Sequence, residues 1–277
     1  MILIKSNEQL KKYIPNTLKE VQGEASLYDK MYSYIASAEK WLQTYLLSYD
    51  TMAEVCDLDD SHELKALCCN IVAVDAFHHA VPSLDLVLTP NGFGIVSNQN
   101  LTPASKERVV RLQKSLLRNR DEMLDQLLHI LPSFSDWKTR STAQFFKFTL
   151  FQNLELCTLM EVPEELWKNY IMLRAKVVEI EREMITHFVS MEQMDVFHSE
   201  VMDGNASSKH AIVIEWLKDA IISRLKNIPP SRTLVEDVVN IMRDNPEDFP
   251  QWHASSMPKA FSPIVFQNKK SNKAYWF

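Results

Sequence analysis

The strongest candidate for metal chemistry is a carboxylate and an imidazole four residues apart, Glu183 and His187. Residues at this spacing share one face of a helix, where two side chains can hold a metal ion. Glu179 lies one turn earlier on the same side. However, His187 falls on an apolar stripe, and no ExxH or HExxH pattern accompanies the pair. We therefore predict a core or interface histidine, with a metal-dependent helical enzyme as the alternative.

The remaining histidines form no recognisable catalytic set. His78 and His79 are adjacent and would point in different directions on a helix, and His62 precedes Glu63. The chain has no GxSxG elbow, no GxGxxG and no GxxxxGK[ST]. We therefore predict no catalytic, cofactor-binding or metal-binding residue.

The cysteines are few and unpaired in sequence. None forms a CxxC motif, and adjacent cysteines at 68 and 69 would point about 100° apart on a helix, which suits neither a shared metal nor a disulfide. We predict buried thiols in a reducing compartment at all four cysteines, Cys56, Cys68, Cys69 and Cys157.

The composition is that of a globular chain of one large domain or two ordinary ones. Only four of its 277 residues are glycine, which argues against nucleotide-binding folds built on glycine-rich loops. The formal charge of −6 makes direct nucleic-acid binding unfavourable. The balance is uneven: residues 250–277 contain four lysines and no acidic residue, so the first 249 residues carry −10.

No targeting or membrane segment is predicted. The start of the chain has an apolar run of only three residues, and no apolar stretch approaches the roughly 18 residues of a membrane span. We expect a protein that is not secreted and that has no membrane partner.

Hydrophobic periodicity predicts a mainly α-helical multi-helix bundle. The first striped helix carries apolar residues at steps of four and three from Met31 to Met52, and the longest helix carries a similar stripe from Leu166 to Met194. An aromatic-rich helix is expected at about 135–160, with its phenylalanines deeply buried. We predict an N-terminal helical subdomain over 1–131, a C-terminal one over 132–249 and an extended tail over 250–277.

The two striped helices align at an offset of 142 residues. Met31 falls on Leu173, and Ser48 falls on Ser190. Each helix is followed by a polar loop, a second helix and a proline. This pattern predicts two related helical halves; the alternative is a chance alignment of two amphipathic helices.

One β-hairpin is predicted at about 84–98. Thr89-Pro90-Asn91-Gly92 suits a type I turn with Gly92 in the left-handed bulge position. Thr89 would then pair with Phe93, and Val87 with Ile95. Both faces of such a hairpin are apolar, and both need cover from helices or from another subunit.

The final segment combines lysines with aromatic residues. A segment that docks on an acidic neighbour is the favoured interpretation, because the rest of the chain is negative. Base stacking and simple disorder are the alternatives.

Two segments resemble proteins of tailed bacteriophages. The opening LIKSNEQLKKYI and the helix YIASAEKWLQTYL (34–46) are similar to head–tail connector, or adaptor, proteins, and residues 86–109 resemble uncharacterised phage- and prophage-encoded proteins. The resemblance implies a small helical protein that assembles beneath the portal of the capsid and has no active site.

We therefore expect a non-enzymatic phage or prophage structural protein of the connector or head-completion type. It would act as a homo-oligomer with the portal or neighbouring virion proteins, in the cytoplasm during assembly and then in the virion. A host-encoded helical scaffold or regulatory protein is the other alternative. The predicted assembly surface comprises Leu86, Leu88, Phe93, Ile95, Val96, Phe266, Tyr275, Trp276 and Phe277.

Overall fold

The protein is mainly α-helical and divides into two compact units, residues 1–176 and 177–277. The computed structural model describes residues 2–14, 25–84, 86–89, 92–95, 105–229 and 231–262. The subdomain boundary expected at 131/132 lies inside the first unit.

The first unit contains seven α-helices, a pair of strands and the start of an eighth helix within its described residues. The helices are α1 (Asn7–Tyr13), α2 (Leu27–Leu42), α3 (Tyr49–Asp57), α4 (Glu63–Ala80), α5 (Lys106–Ile130), α6 (Ser141–Lys147) and α7 (Glu155–Leu159), and α8 (Leu166–Met184) continues into the second unit. Helix α4 packs against α2 and α5 and forms the centre of the core. Helix α2 begins at a capping box in which Ser26 and Asp29 satisfy each other's backbone N–H groups.

Helix α4 is also long and apolar enough to cross a membrane. This property belongs to residues 63–83, whose most apolar 18-residue stretch is 61% buried inside the protein. Buried core helices share the same length and composition, so the feature is weak as an indicator of a membrane span. The sequence-based expectation that nothing in the chain approaches such a span understated the apolar character of this helix.

Two four-residue strands pair antiparallel, β1 (Leu86–Thr89) and β2 (Gly92–Ile95). Their register differs from the predicted one. Thr89 pairs with Gly92 and Val87 with Gly94, so only residues 90 and 91 separate the paired ends. Gly92 is therefore a strand residue, and the predicted three-residue loop with its bulge is wrong.

The second unit consists of the rest of α8 and five further α-helices within the described residues. These are α9 (Met191–Asp203), α10 (Ser208–Leu225), α11 (Leu234–Asp244), α12 (Pro250–Ala254) and α13 (Met257–Ala260). The apolar faces of α10 and α11 pack together, and α12 packs on α9. Trp252 lies in the core with about 0% of its surface exposed. The tail predicted to be extended over 250–277 forms two short helices in its described part, so that prediction is wrong there.

Both long striped helices end earlier than the periodicity predicts. Each runs into one π-helical turn, Gln43–Leu47 after α2 and Ile185–Val189 after α8. A π turn holds an extra residue compared with an α turn, and one residue rotates the helix face by about 100°. Stripe positions within or directly after each turn face outward: Tyr45 and Tyr49 are exposed, and so are His187 and Met191. Met52 and Met194, the last stripe positions, are buried in the next helices.

The aromatic segment 135–160 is not one helix. A short 3₁₀ turn (Trp137–Thr139), α6 and α7 are separated by irregular chain. Within it Phe146 and Phe151 are buried, as expected, but Phe148 is 61% exposed and Phe145 is exposed as well. Because the apolar residues in this segment show no periodicity, the sequence contains no sign of where one short helix ends and the next begins.

Candidate functional site

A tryptophan side chain is hydrogen-bonded to the π-helical turn in each unit. The indole Nε1 of Trp137 donates to the carbonyl oxygen of Leu46 at 2.7 Å, and that of Trp252 donates to the carbonyl oxygen of Phe188 at 2.8 Å. Leu46 and Phe188 are 142 residues apart and occupy the same position in their turns. Both indole rings are buried. The two indole–carbonyl bonds are therefore one structural device that occurs twice.

A serine with an unusual backbone follows each π turn. Ser48 and Ser190 have φ values of 73° and 76° with extended ψ, a region that is disfavoured for residues with a side chain. The hydroxyl of Ser48 accepts a hydrogen bond from the N–H of Thr51, and that of Ser190 accepts one from Gln193. Each serine thus both breaks the long helix and caps the next one.

The residues around the two tryptophans also repeat, at a different offset. Phe134, Trp137, Ser141 and Phe146 are followed 115 residues later by Phe249, Trp252, Ser256 and Phe261. The match continues in sequence as Phe-Gln-Asn at 151–153 and at 266–268, although the latter residues lie outside the described part of the chain. Sequence reasoning missed this repeat, which could have been found from the spacing of the rare aromatic residues alone.

In the first unit, the start of α8 covers the end of this motif. The ring of Tyr170 stacks on that of Phe146, with centroids 6.3 Å apart and planes 16° apart. The hydroxyl of Tyr170 donates to the carbonyl oxygen of Phe151 at 2.9 Å. Trp167 meets Trp41 of α2 edge to face at 5.6 Å. Tyr170 and Phe146 are fully buried as a result.

A buried charge network holds the start of α8 in place. Asp121 of α5 accepts a hydrogen bond from the N–H of Trp167, placing a carboxylate near the helix N-terminus where the dipole favours it. Arg120 pairs with Asp121 at 2.6 Å and with Asp75 at 2.8 Å, and its guanidinium lies over the ring of Trp41. Burial opposes the charged guanidinium, but Asp121 and Asp75 outweigh it and raise the pKa of Arg120.

An open groove of about 520 Å³ lies beside this cluster in the first unit. We call it the aromatic groove; it is lined by Trp41, Thr44, Tyr45, Ser141, Thr142, Phe145, Trp167 and Ile171. Tyr45 is 55% exposed there, and the guanidinium of Arg174 lies 3.8 Å from the ring centroid of Phe145. Its walls are mostly aromatic and apolar, with one serine and two threonine side chains, which suits an apolar or aromatic partner better than a polar small molecule.

The structure describes only part of the predicted assembly surface. Leu86, Leu88, Phe93 and Ile95 have described backbone positions on the two strands, and their side chains lie outside the description. Val96 and the four tail residues lie outside the described part of the chain altogether. They are Phe266, Tyr275, Trp276 and Phe277.

The candidate metal pair is engaged in other contacts. The carboxylate of Glu183 forms an ion pair with Arg224, and Nδ1 of His187 is hydrogen-bonded to the carbonyl oxygen of Glu183 at 2.6 Å. His187 is exposed rather than in the core, because it lies within the π turn Ile185–Val189; the interface half of that prediction stays a prediction. Among the described residues, no group of three or more His, Cys, Asp or Glu side chains is placed to share a metal ion.

Three cysteines are buried, and Cys56 is half-buried. Burial is the main cause that raises the pKa of Cys69 and of Cys157 to about 11, and it raises that of Cys68 further. These thiols are therefore protonated at neutral pH and are poor nucleophiles. The prediction of buried thiols is confirmed for these three.

The remaining histidines have structural contacts. Nδ1 of His62 accepts a hydrogen bond from the N–H of Leu64 and caps α4, as a side chain can at a helix start. His78 is hydrogen-bonded to the carbonyl of Gln113, and burial is the first cause that lowers its pKa. His62 and His78 therefore serve the ends and packing of α4.

Comparison with known proteins finds similarity over the first half of the chain. Residues 14–147 match a protein family of unknown function, DUF6712. No curated protein and no solved structure matches the chain. The matched region ends at Lys147, where α6 also ends, so it contains the first π turn, the first serine and the first indole–carbonyl bond.

Proposed function

We propose that this chain is a non-enzymatic structural protein of a phage or prophage, of the head–tail connector or head-completion type, and that it acts by oligomeric assembly. The observation that carries the proposal is the exposure of large aromatic side chains beside a preformed apolar groove. Tyr45 and Phe145 both line the aromatic groove, and they are 55% and 36% exposed. Clustered exposed apolar surface is typical of protein–protein contact sites.

The architecture supports assembly rather than chemistry. The features that occur twice, a π turn, a serine at positive φ and an indole–carbonyl bond, all fix backbone positions. They position aromatic surfaces in the described residues and converge on no polar centre. The resemblance of residues 34–46 to connector proteins gives this assembly its biological setting.

The strand pair supplies a second candidate contact surface. Paired residues of an antiparallel ladder share a face, so the register assigns Leu86, Leu88, Phe93 and Ile95 to one face. Val87, Thr89, Gly92 and Gly94 belong to the other face. The predicted hairpin had two apolar faces, whereas this register concentrates the bulky apolar residues on one. That face is the assembly surface we propose, together with the aromatic residues of the tail.

The charge distribution favours contact between copies or with other virion proteins. Residues 250–277 carry +4 and the first 249 residues carry −10. A basic aromatic segment is complementary to acidic surfaces of a neighbour. We propose a homo-oligomer that binds the portal or neighbouring virion proteins, formed in the cytoplasm and carried into the particle.

The test is co-expression with the portal protein encoded in the same gene cluster, followed by size-exclusion chromatography. We expect a complex that elutes ahead of either protein alone. The variant Leu88→Asp should abolish it, whereas the neighbouring Val87→Asp, on the opposite face, should retain it. A chain that stays monomeric alone and forms no complex with the portal would overturn the proposal, and so would a gene cluster without capsid, portal or tail genes.

A further inference from the structure

The first unit shows how one copy of the repeated motif is covered. Phe146, at the end of the motif, is buried beneath Tyr170 at the start of α8. Tyr170 aligns with Tyr28 of α2 at the same 142-residue offset that relates the two π turns. Phe146 aligns with Phe261 at the offset that relates the two tryptophans. The chain therefore contains the two residues of a second such stack.

In the described residues, both members of the second pair retain exposed surface. Phe261, directly after α13, is half-buried, whereas its counterpart Phe146 is about 0% exposed. Tyr28 is also half-buried, whereas its counterpart Tyr170 is fully buried. The adjacent Tyr32, which meets Tyr28 edge to face, is 54% exposed. Two aromatic surfaces with matching chemistry are thus available, one on each unit.

We propose that a second copy of this chain completes the pair: the N-terminal half of α2 in one copy seats on α13 of another, and Tyr28 stacks on Phe261. The partner is identified by the first unit itself, where the start of a repeat's long helix covers the end of the preceding motif. This inference rests on the assembly proposed above and names its contact.

Such a contact is heterologous, because α2 of one copy meets α13 of the next and each copy keeps one further surface of each kind. The stack also predicts a hydrogen bond from the hydroxyl of Tyr28, by analogy with the bond from Tyr170 to Phe151. Tyr28→Phe keeps the stacking ring and loses only this hydrogen bond, so it should retain most of the association that Tyr28→Ala loses.

Site-specific crosslinking of the full chain tests the contact. One preparation carries Tyr28→Cys, a second carries Phe261→Cys, and the two are mixed and oxidised. The background from native thiols is low, since three cysteines are buried and Cys56 is half-buried. The matched control is Tyr49→Cys, whose position on α3 is 66% exposed.

We expect a covalent dimer only from the mixture of Tyr28→Cys with Phe261→Cys. Tyr28→Cys alone, or Tyr49→Cys with Phe261→Cys, should give none. Without crosslinking, Tyr28→Ala or Phe261→Ala should weaken self-association by about tenfold or more, since buried aromatic anchors dominate such interfaces. Loss of the crosslink in a protein that still oligomerises, or still binds the portal, would overturn this contact and leave the proposed function intact.

The alternative to a second copy is that the chain's own tail packs on Phe261. The full-length variant with Tyr275→Ser, Trp276→Ser and Phe277→Ser distinguishes it. A crosslink that appears only in this variant would show that the tail covers Phe261 in the unaltered protein, and it would overturn the proposal. A crosslink of equal yield in both proteins supports a second copy as the partner.

Discussion

The indole nitrogen of Trp252 lies 2.8 Å from the carbonyl oxygen of Phe188, 64 residues earlier in the chain. Trp137 and Leu46 repeat this relationship at 2.7 Å in the first unit. In both places the acceptor belongs to a π-helical turn, where the regular pattern of helical hydrogen bonds is interrupted. Each tryptophan thus ties a later segment of its unit to the break in the long helix.

Removing the indole N–H should lower the free energy of unfolding by a similar amount in both units. Trp137→Phe and Trp252→Phe each leave a buried carbonyl without this donor, and we expect a loss of about 1–3 kcal/mol in the free energy of unfolding. Chemical denaturation measures it. Trp41→Phe, at a half-buried ring beside the aromatic groove, is the control and should cost less. Equal losses at Trp41 and Trp137 would contradict the role assigned to the indole–carbonyl bond.

Replacing the serine after each π turn with glycine should stabilise the protein. Ser48→Gly and Ser190→Gly relieve a backbone conformation that costs about 1–3 kcal/mol, while a glycine cap loses only a few tenths of a kcal/mol. We expect both variants to melt at higher temperature than the unaltered protein. Ser48→Ala keeps the strain and loses the cap, so it should melt lower. A glycine variant less stable than the alanine variant would show that the positive φ is not a source of strain.

Removing the positive charge of Arg120 should strongly destabilise the protein, because the buried network depends on it. Arg120→Met leaves the carboxylates of Asp75 and Asp121 buried without their partner, and we expect a destabilisation of about 3–5 kcal/mol. Arg118→Met, two residues away, breaks the exposed pair with Glu122 and should change stability by less than about 1 kcal/mol. Urea denaturation of the two variants gives the comparison. Equal effects would mean that the network contributes no more than a surface pair.

Glu39 should make the protein less stable as the pH rises above 4.5. Its carboxylate is buried and accepts the backbone N–H groups of Leu3 and Ile4; burial is the larger effect and raises its pKa from 4.5. The folded state then holds a proton that the unfolded state releases first. The free energy of unfolding therefore falls from pH 4.5 up to the folded-state pKa and stays lowered above it.

Glu39→Gln keeps an acceptor for both N–H groups and removes the charge. We expect this variant to be more stable than the unaltered protein at neutral pH and to lose this part of the pH dependence. Glu39→Ala removes the acceptor and should cost about 1–3 kcal/mol. Thermal melts from pH 4 to 8 measure all three proteins. An unchanged pH profile in Glu39→Gln would contradict the raised pKa.

Periodicity predicted the helical character and the long helices, but it could not predict the π turns. The stripe from Met31 to Met52 continues across Ser48 without a visible break. The π turn inserts one residue, so Leu46 and Leu47 are buried while Tyr45 is exposed, and Met52 is buried again in α3. Only the serine and its backbone strain mark the position, and serine is common in sequence.

The strand register could not be predicted from the sequence for a similar reason. Thr89-Pro90-Asn91-Gly92 is compatible with loops of two or three residues, and the difference moves one strand by a single position. That shift reassigns Phe93 and Ile95 to the face of Leu86 and Leu88. The repeated Phe-x-x-Trp spacing, by contrast, was present in the sequence and needed only a comparison of the aromatic residues at 134–146 with those at 249–261.

The most direct test of the account is native mass spectrometry of the full chain over a wide range of concentration. Assembly through copies of one chain predicts species of several chains that grow with concentration and that Phe261→Ala shifts back toward the single chain. A single chain at every concentration, with no change on substitution of Phe261, would contradict it.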